Sequence, residues 1–363
     1  MNTDPLLLGI DAGTSTIKAV LVDRDGRERA LASVPTPFAA TASGTEMTTG
    51  DFLAAVAGLL GRLGPGLDAV AATGIAGLAE SGVPIGRDAE PLAPVIAWHD
   101  PRGAETVAAL ERTFGPALAL RTGQRPRTVS SVAKLGWLTR HAICASDVRR
   151  WLGVAELALL RLTGVEATEH SLASRTGCYD VGTREWIPEA ARVAGIPVAV
   201  FPPVHAAGSV MGTVTVEGAR WSGLPAGTPV TLAGHDHLAG AAGAGAETGD
   251  LVNSVGTAET VLRRMDVLPD LARAADVRAA VSVRPGGAGW TVMTGAARAG
   301  VVLGRAAAAL GMSPAELDPL VGEAAGMACD DLVVALQEAA GPPLPDAAPA
   351  TIWRGLLEAL SRR

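Results

Sequence analysis

Apolar residues near the start of the chain come in two runs separated by a short polar stretch. Leu6-Leu7-Leu8-Gly9-Ile10 ends at Asp11, the chain passes through Ala12-Gly13-Thr14-Ser15-Thr16, and Ile17-Lys18-Ala19-Val20-Leu21-Val22 resumes as far as Asp23. Two apolar runs joined by Gly and hydroxyl residues predict a β-hairpin. Glu28–Val34 reads as a third strand, Gly50–Leu63 carries apolar residues at helical spacing, and Asp68–Thr73 reads as a buried strand. Val95-Ile96-Ala97-Trp98 is a short strand that runs into His99-Asp100-Pro101-Arg102. From about Ser130 to Ala173 the pattern is helical with few strand signals, and Pro197, Pro202 and Pro203 mark a loop. Val230–Gly234 is a strand followed directly by His235-Asp236-His237 and a Gly/Ala-rich helix.

The opening pattern returns once. Past a boundary near Gly245–Gly249, the segment Asp250–Leu262 is again strand, Gly256-Thr257 turn, strand. An internal repeat of this type organises the chain into two domains, residues 1–245 and 246–363. Each turn has the composition to bind an anion, because successive backbone N–H groups and hydroxyls form a concave donor surface. Asp11 at the first strand's end is placed to hold a hydrated Mg²⁺, a hard ion that takes oxygen ligands. The competing account is an ordinary hairpin in which Asp11 satisfies turn amides.

Composition narrows the partners. The 363 residues are 48% hydrophobic and 18% charged, with a net charge of -7, which fits a globular protein and argues against a nucleic-acid or anionic-membrane surface. Cys144, Cys178 and Cys329 lie far apart, as expected of reduced thiols in the cytoplasm. No basic stretch followed by an apolar one opens the chain, so secretion is not expected, and the Ala239–Ala246 stretch is too short to span a bilayer. Of 30 basic residues only Lys18 and Lys134 are lysine.

Taken in order, these segments resemble the FGGY carbohydrate kinases, a branch of the actin-like ATPases with ribonuclease H-like domains. Asp11-Ala12-Gly13-Thr14-Ser15 is similar to that family's first phosphate loop, with Lys18 and Asp23 at the usual spacings. Gly74–Ser81 sits where the family places a sugar-contacting loop, Trp98-His99-Asp100-Pro101-Arg102 matches a W-x-D-x-R motif, and Lys134–His141 nearly reproduces a signature helix. Leu162-Thr163-Gly164 and Ala173-Ser174-Arg175-Thr176-Gly177 are similar to two more segments. The resemblance implies an α/β fold of duplicated ribonuclease H-like domains and ATP- and Mg²⁺-dependent phosphorylation of a sugar or polyol. It implies Asp236 as the base that accepts the proton of the attacking hydroxyl, against which stands the reading of Asp236 as a helix N-cap. Glu80, Ala79, Trp98, Asp100 and His237 would meet the sugar, Ala79 standing where relatives carry an arginine. An Asp100–Arg102 pair that only braces its loop is an equal alternative. Asp11, Gly13, Thr14, Ser15, Lys18, Gly256 and Thr257 would meet the nucleotide, Asp11 through the metal, and Gly295 with Arg298 is a further phosphate-facing junction. Lys134 and Trp137 are read as structural, and His235 as packed in the domain.

The chain departs from the family towards its end. Trp353–Ala359 resembles the helix before the family's adenosine-holding Gly-Gly turn, Asp330–Pro349 lacks a G-x-R-x-P segment, and the second domain is expected to be incomplete. Three readings follow: a truncated kinase, a non-catalytic homologue that binds a sugar or partner, and a kinase that takes its nucleotide side or phosphoryl donor from elsewhere. Exposed apolar surface would favour a homodimer. A metal-dependent hydrolase built on His235-Asp236-His237 and Asp100 is the alternative from another class, weakened because zinc sites draw ligands from separated positions.

Overall fold

The computed structural model describes residues 4–255, 259–295, 299–322, 324–338 and 342–361. The chain forms two compact units, one of Met1–Asp250 with Arg263–Val292, the other of Leu251–Leu262 with Met293–Arg363.

The first unit is built on a six-stranded sheet. Its strands are β1 (Leu6–Ala12), β2 (Thr16–Val22), β3 (Glu28–Pro35), β4 (Val70–Gly77), β5 (Gly212–Thr213) and β6 (Pro229–His235). The spatial order is β5-β6-β4-β1-β2-β3. The β1–β2 and β2–β3 pairs are antiparallel, while β4 pairs parallel with both β1 and β6. This mixed α/β arrangement is the ribonuclease H-like order expected for the first domain. Alternation drives it: Leu8, Ile10 and Ala12 on β1 and Ile17, Ala19 and Leu21 on β2 are buried, while the residues between them are less so. Helix α1 (Thr49–Gly61) buries Phe52, Val56, Leu59 and Leu60 in the same core, and Thr48 caps it by accepting the Asp51 N–H. Helix α2 (Val154–Thr163) contributes Leu157, Leu159 and Leu162, and ends at Gly164 in the left-handed region.

Two expectations about this unit need correcting. The segment after α1 winds a 3₁₀ turn through Pro65 before β4 begins at Val70, and β4 runs on to Gly77. Gly74–Gly77, read from sequence as loop, is therefore strand. A Cβ on Gly77 would lie 3.1 Å from Ala155 Cβ and 3.3 Å from Ala12 Cβ, so the glycine marks close packing. The stretch from Ser130 to Ala173 is not helical throughout. Arg150–Gly153 pairs antiparallel with Gly82–Ile85, and Thr168–Glu169 pairs parallel with Val204–His205. Runs of four and two residues are too short to show a period of two.

In the second unit, helices Ala299–Leu310, Pro314–Leu317, Asp330–Glu338 and Pro349–Ser361 gather around Val302, Ala306, Val333, Leu336, Ile352, Trp353 and Leu356. The Trp353 indole donates to Asp318 Oδ1 at 2.8 Å. No described helix is long and apolar enough to cross a membrane. Cys144, Cys178 and Cys329 are free thiols.

Two carboxyl groups are sealed inside the first unit. Burial pushes Glu156 up to about 7, against the Thr168 hydroxyl that donates to it, and pushes Glu169 up to about 8. The folded chain thus keeps protons that the unfolded chain releases from about pH 4.5 upward. Stability falls as pH rises through this window and levels off above the folded-state values. Denaturation midpoints in urea at pH 5, 6, 7 and 8 should decline, and Glu156→Gln should make the decline shallower; an unchanged slope would refute this. Phe52→Ala should destabilise the first unit by about 3–5 kcal/mol in the same assay, because its ring is fully enclosed.

Candidate active site

The turn after β1 is held shut from within. The Gly13 N–H donates to the Thr16 carbonyl at 3.2 Å, and a Cβ on Gly13 would sit 2.8 Å from that same oxygen. Glycine is required there. From β3's end, the Thr36 hydroxyl donates to Gly13 O and the Thr36 N–H to Ser15 O. The turn's carbonyls are tied inward, and Thr14 Oγ1 accepts the Trp98 indole N–H at 3.0 Å. Trp98, expected at the sugar, is thus bonded to the expected phosphate loop. Lys18 faces Asp11 across the β1–β2 pair with an exposed side chain.

Register brings the second carboxylate to the same sheet edge. Asp11 pairs with Ala76 and His235 with Gly77, so β1, β4 and β6 finish nearly level, with Asp11 and Asp236 on either side of β4's end. Ligands of open α/β sheets bind at this carboxyl end of parallel strands. Burial, then the charge of Asp236, pushes the Asp11 carboxyl up to about 6, while Lys18 and His237 pull it back. Asp11 Oδ1 is buried with no hydrogen-bond partner among the described residues. An orphaned carboxylate oxygen beside a second carboxylate is a donor set that fits a hard divalent cation.

Asp236 opens the helix Asp236–Gly243, whose N-cap is His235 with no side-chain cap bond. The Asp236 carboxylate does not cap. Its Oδ1 accepts the His237 N–H at 2.7 Å and lies 3.1 Å from His235 Nε2. Burial, with Arg175 and His237 nearby, pushes His235 down to about 3, so the ring is neutral and the 3.1 Å approach is a close contact rather than an ion pair. Asp236 Oδ2 has no partner among the described residues, and the side chain is 22% exposed. Donor atoms of His235, Asp236 and His237 lie within 4.8 Å of one another, near enough to share an ion.

The other expected sugar residues are tied to protein. Ala79 is buried, and Glu80 holds a left-handed backbone, φ 72°. Arg175 grips Glu80 Oε1 through Nε at 2.8 Å and Nη2 at 2.5 Å, both side chains nearly buried. Asp100 has both oxygens engaged: Oδ1 takes Arg102 Nε–H and N–H, and Oδ2 takes Arg102 Nη2–H and Thr45 N–H. This favours the bracing account of the Asp100–Arg102 pair, and Glu46 completes it by accepting Arg102 Nη1–H at 3.0 Å. Lys134, fully buried, donates to the carbonyls of Asp100 and Arg102 and locks the loop from below. Arg175 was missed as a site residue, since only the fold reveals that it answers Glu80 from 95 residues away. Gly256, Thr257 and Arg298 lie outside the described residues. The strands flanking that second turn, Leu251–Val255 and Glu259–Met265, are present, and Asn253 donates to Glu259 Oε1 across them at 2.8 Å.

The model for the N-terminal domain of the FGGY family of carbohydrate kinases matches residues 6–243. An L-fuculokinase of Salmonella typhi is 31% identical over 266 residues, covering 71% of this chain and 56% of that protein. A xylulose kinase of Streptomyces rubiginosus is 32% identical over 261 residues, 71% of this chain and 54% of that one. The chain therefore spans about half the length of the curated relatives it matches. Among solved structures, xylulose kinase from Rhodospirillum rubrum superposes with a TM-score of 0.80 at 24% identity, covering 98% of this chain and 77% of the other. Plasmodium falciparum glycerol kinase with ADP gives 0.75 at 17% identity, covering 98% and 76%. These likenesses carry the α/β fold, and with a family model matched over most of the first unit, the chain belongs to the FGGY family of carbohydrate kinases.

Proposed function

We propose that the chain phosphorylates a hydroxyl of a sugar or polyol, with ATP as donor and Asp236 as general base. The observation that carries this reading is the state of the Asp236 carboxylate. Oδ1 accepts the His237 amide and lies beside the His235 ring, which leaves Oδ2 open to receive a proton. A carboxylate is a weak base towards a resting hydroxyl and helps late, as attack acidifies it; such help is typically worth ~10²–10⁴-fold. Because phosphoryl transfer has a loose transition state, orientation and charge placement supply most of the rate. Orientation is what the amide bond and the close ring contact at Oδ1 provide.

The donor phosphates would meet the Gly13–Ser15 turn and Lys18, with Mg²⁺ at Asp11. When bound there, the ion neutralises charge on the phosphoryl oxygens. Asp11, near 6 without it, must be ionised to hold it, so affinity should fall below about pH 6. The sugar would lie against Asp236 and His237. Glu80 and Asp100, bonded as they are, shape the walls of the site through their loops. A cytoplasmic protein meeting small sugars and ATP fits these features.

The second reading is sugar binding without transfer. It predicts a sugar-dependent rise in melting temperature with no turnover. ADP release measured over a panel of pentuloses, hexonates and polyols separates the two. The kinase reading expects ADP release that depends on one of these acceptors, abolished in Asp236→Asn with sugar binding retained. Release with Asp236→Asn equal to that of the unaltered chain would exclude the base role. Mn²⁺ binding followed by electron paramagnetic resonance should weaken at least tenfold in Asp11→Asn; equal affinity would remove Asp11 from the metal site.

A further inference from the structure

β6 reaches Asp236 through an irregular step. Its pairing with β4 slips between Leu232 and Gly234, and Gly234 sits at φ +106°, a conformation that only glycine adopts without strain. A bulge of this kind re-aims the chain beyond it. Two buried side chains flank the bulge so closely that a Cβ on Gly234 would lie 2.5 Å from Ser171 Oγ and 2.8 Å from Glu169 Oε2. Ser171 Oγ donates to Glu169 Oε2 at 2.5 Å and accepts the His235 N–H at 2.9 Å. The Ser171 N–H donates to the same Glu169 oxygen at 2.7 Å. Both residues are fully enclosed. Glu169 is held neutral at pH 7 by burial, so the bracket places no net charge behind the Asp236 carboxylate.

We propose that Ser171 and Glu169 are positioning residues for Asp236. The chain of bonds from the Glu169 carboxyl through the Ser171 hydroxyl to the His235 amide fixes the bulge. The fixed bulge sets the His235 ring and the His237 amide against Oδ1, and thereby turns Oδ2 outward. Neither residue touches substrate. The inference rests on Asp236 acting as the base, and it goes further by naming what aims it. An amide freed from its hydroxyl partner would let the His235–Asp236 step shift, and small misplacements at a reacting centre cost large factors in rate.

The test is steady-state kinetics on the intact chain, with ATP and the acceptor that gives most ADP release, at a temperature well below unfolding of every variant. Ser171→Ala should lower kcat 10- to 100-fold and leave KM for acceptor and ATP within twofold. Glu169→Gln, which keeps an uncharged oxygen acceptor of the same shape, should retain most of kcat, whereas Glu169→Leu should behave like Ser171→Ala. Adding Ser171→Ala to Asp236→Asn should bring no further loss, because residues that act through one group are not additive. If Ser171→Ala does not fold, the Glu169→Gln and Glu169→Leu pair carries the same comparison. The proposal is overturned if Asp236→Asn is inactive while Ser171→Ala and Glu169→Leu turn over like the unaltered chain. It is equally overturned if their loss lies in KM, or if the double variant loses more than Asp236→Asn. Absence of turnover in the unaltered chain on every acceptor would instead refute the kinase reading, and the positioning role with it.

Discussion

Everything at the candidate site depends on three parallel strands ending together. β4 lies between β1 and β6, and the pairings of Asp11 with Ala76 and His235 with Gly77 bring two acidic residues, over 200 positions apart in sequence, to one edge of the sheet. Sheet register is unforgiving, since a shift of one residue turns every side chain to the opposite face. The alternating burial of Leu8, Ile10 and Ala12 therefore does more than fill a core. It fixes which way Asp11 faces.

That placement sets burial against charge. Asp11 loses solvent and gains a like-charged neighbour, and both effects favour its protonated form. The protein does not relieve this internally: Oδ1 keeps no partner among the described residues, and Lys18 opposes the shift only in part. Around the strained pair the remaining polar groups are closely satisfied. Arg175 answers Glu80, Arg102 and Thr45 answer Asp100, and Lys134 answers two loop carbonyls. The contrast separates groups that hold the frame from groups left open to a ligand.

Much of the frame was legible in the chain. Apolar runs broken by Gly and hydroxyl residues gave the β1–β2 hairpin, and apolar residues at helical spacing gave α1. Short strands were not legible, because Arg150–Gly153 offers too few residues for alternation and its partner lies some 65 positions earlier. Side-chain roles split along the same line. Asp11 stands out by its local setting at the end of an apolar run, whereas Asp236 was singled out by the family resemblance, its setting fitting a helix cap equally well. What Glu80 and Asp100 do depends on Arg175 and Arg102 and on how the loops fold, and no spacing encodes that Ser171 meets the His235 amide. The bulge at Gly234 was hidden for the same reason: a glycine in an apolar run does not say whether it packs, bends or slips.

The near-exclusive use of arginine has a practical corollary. Of the two lysines, Lys134 is sealed in its helix and Lys18 stands exposed directly across from Asp11. Arginine guanidinium groups stay protonated and are poor nucleophiles under conditions where a lysine amine acylates. Reagents aimed at amines thus find one accessible lysine among the described residues. Surface coupling or fluorescent labelling through lysine amines would converge on the β1–β2 hairpin rather than scatter over the surface.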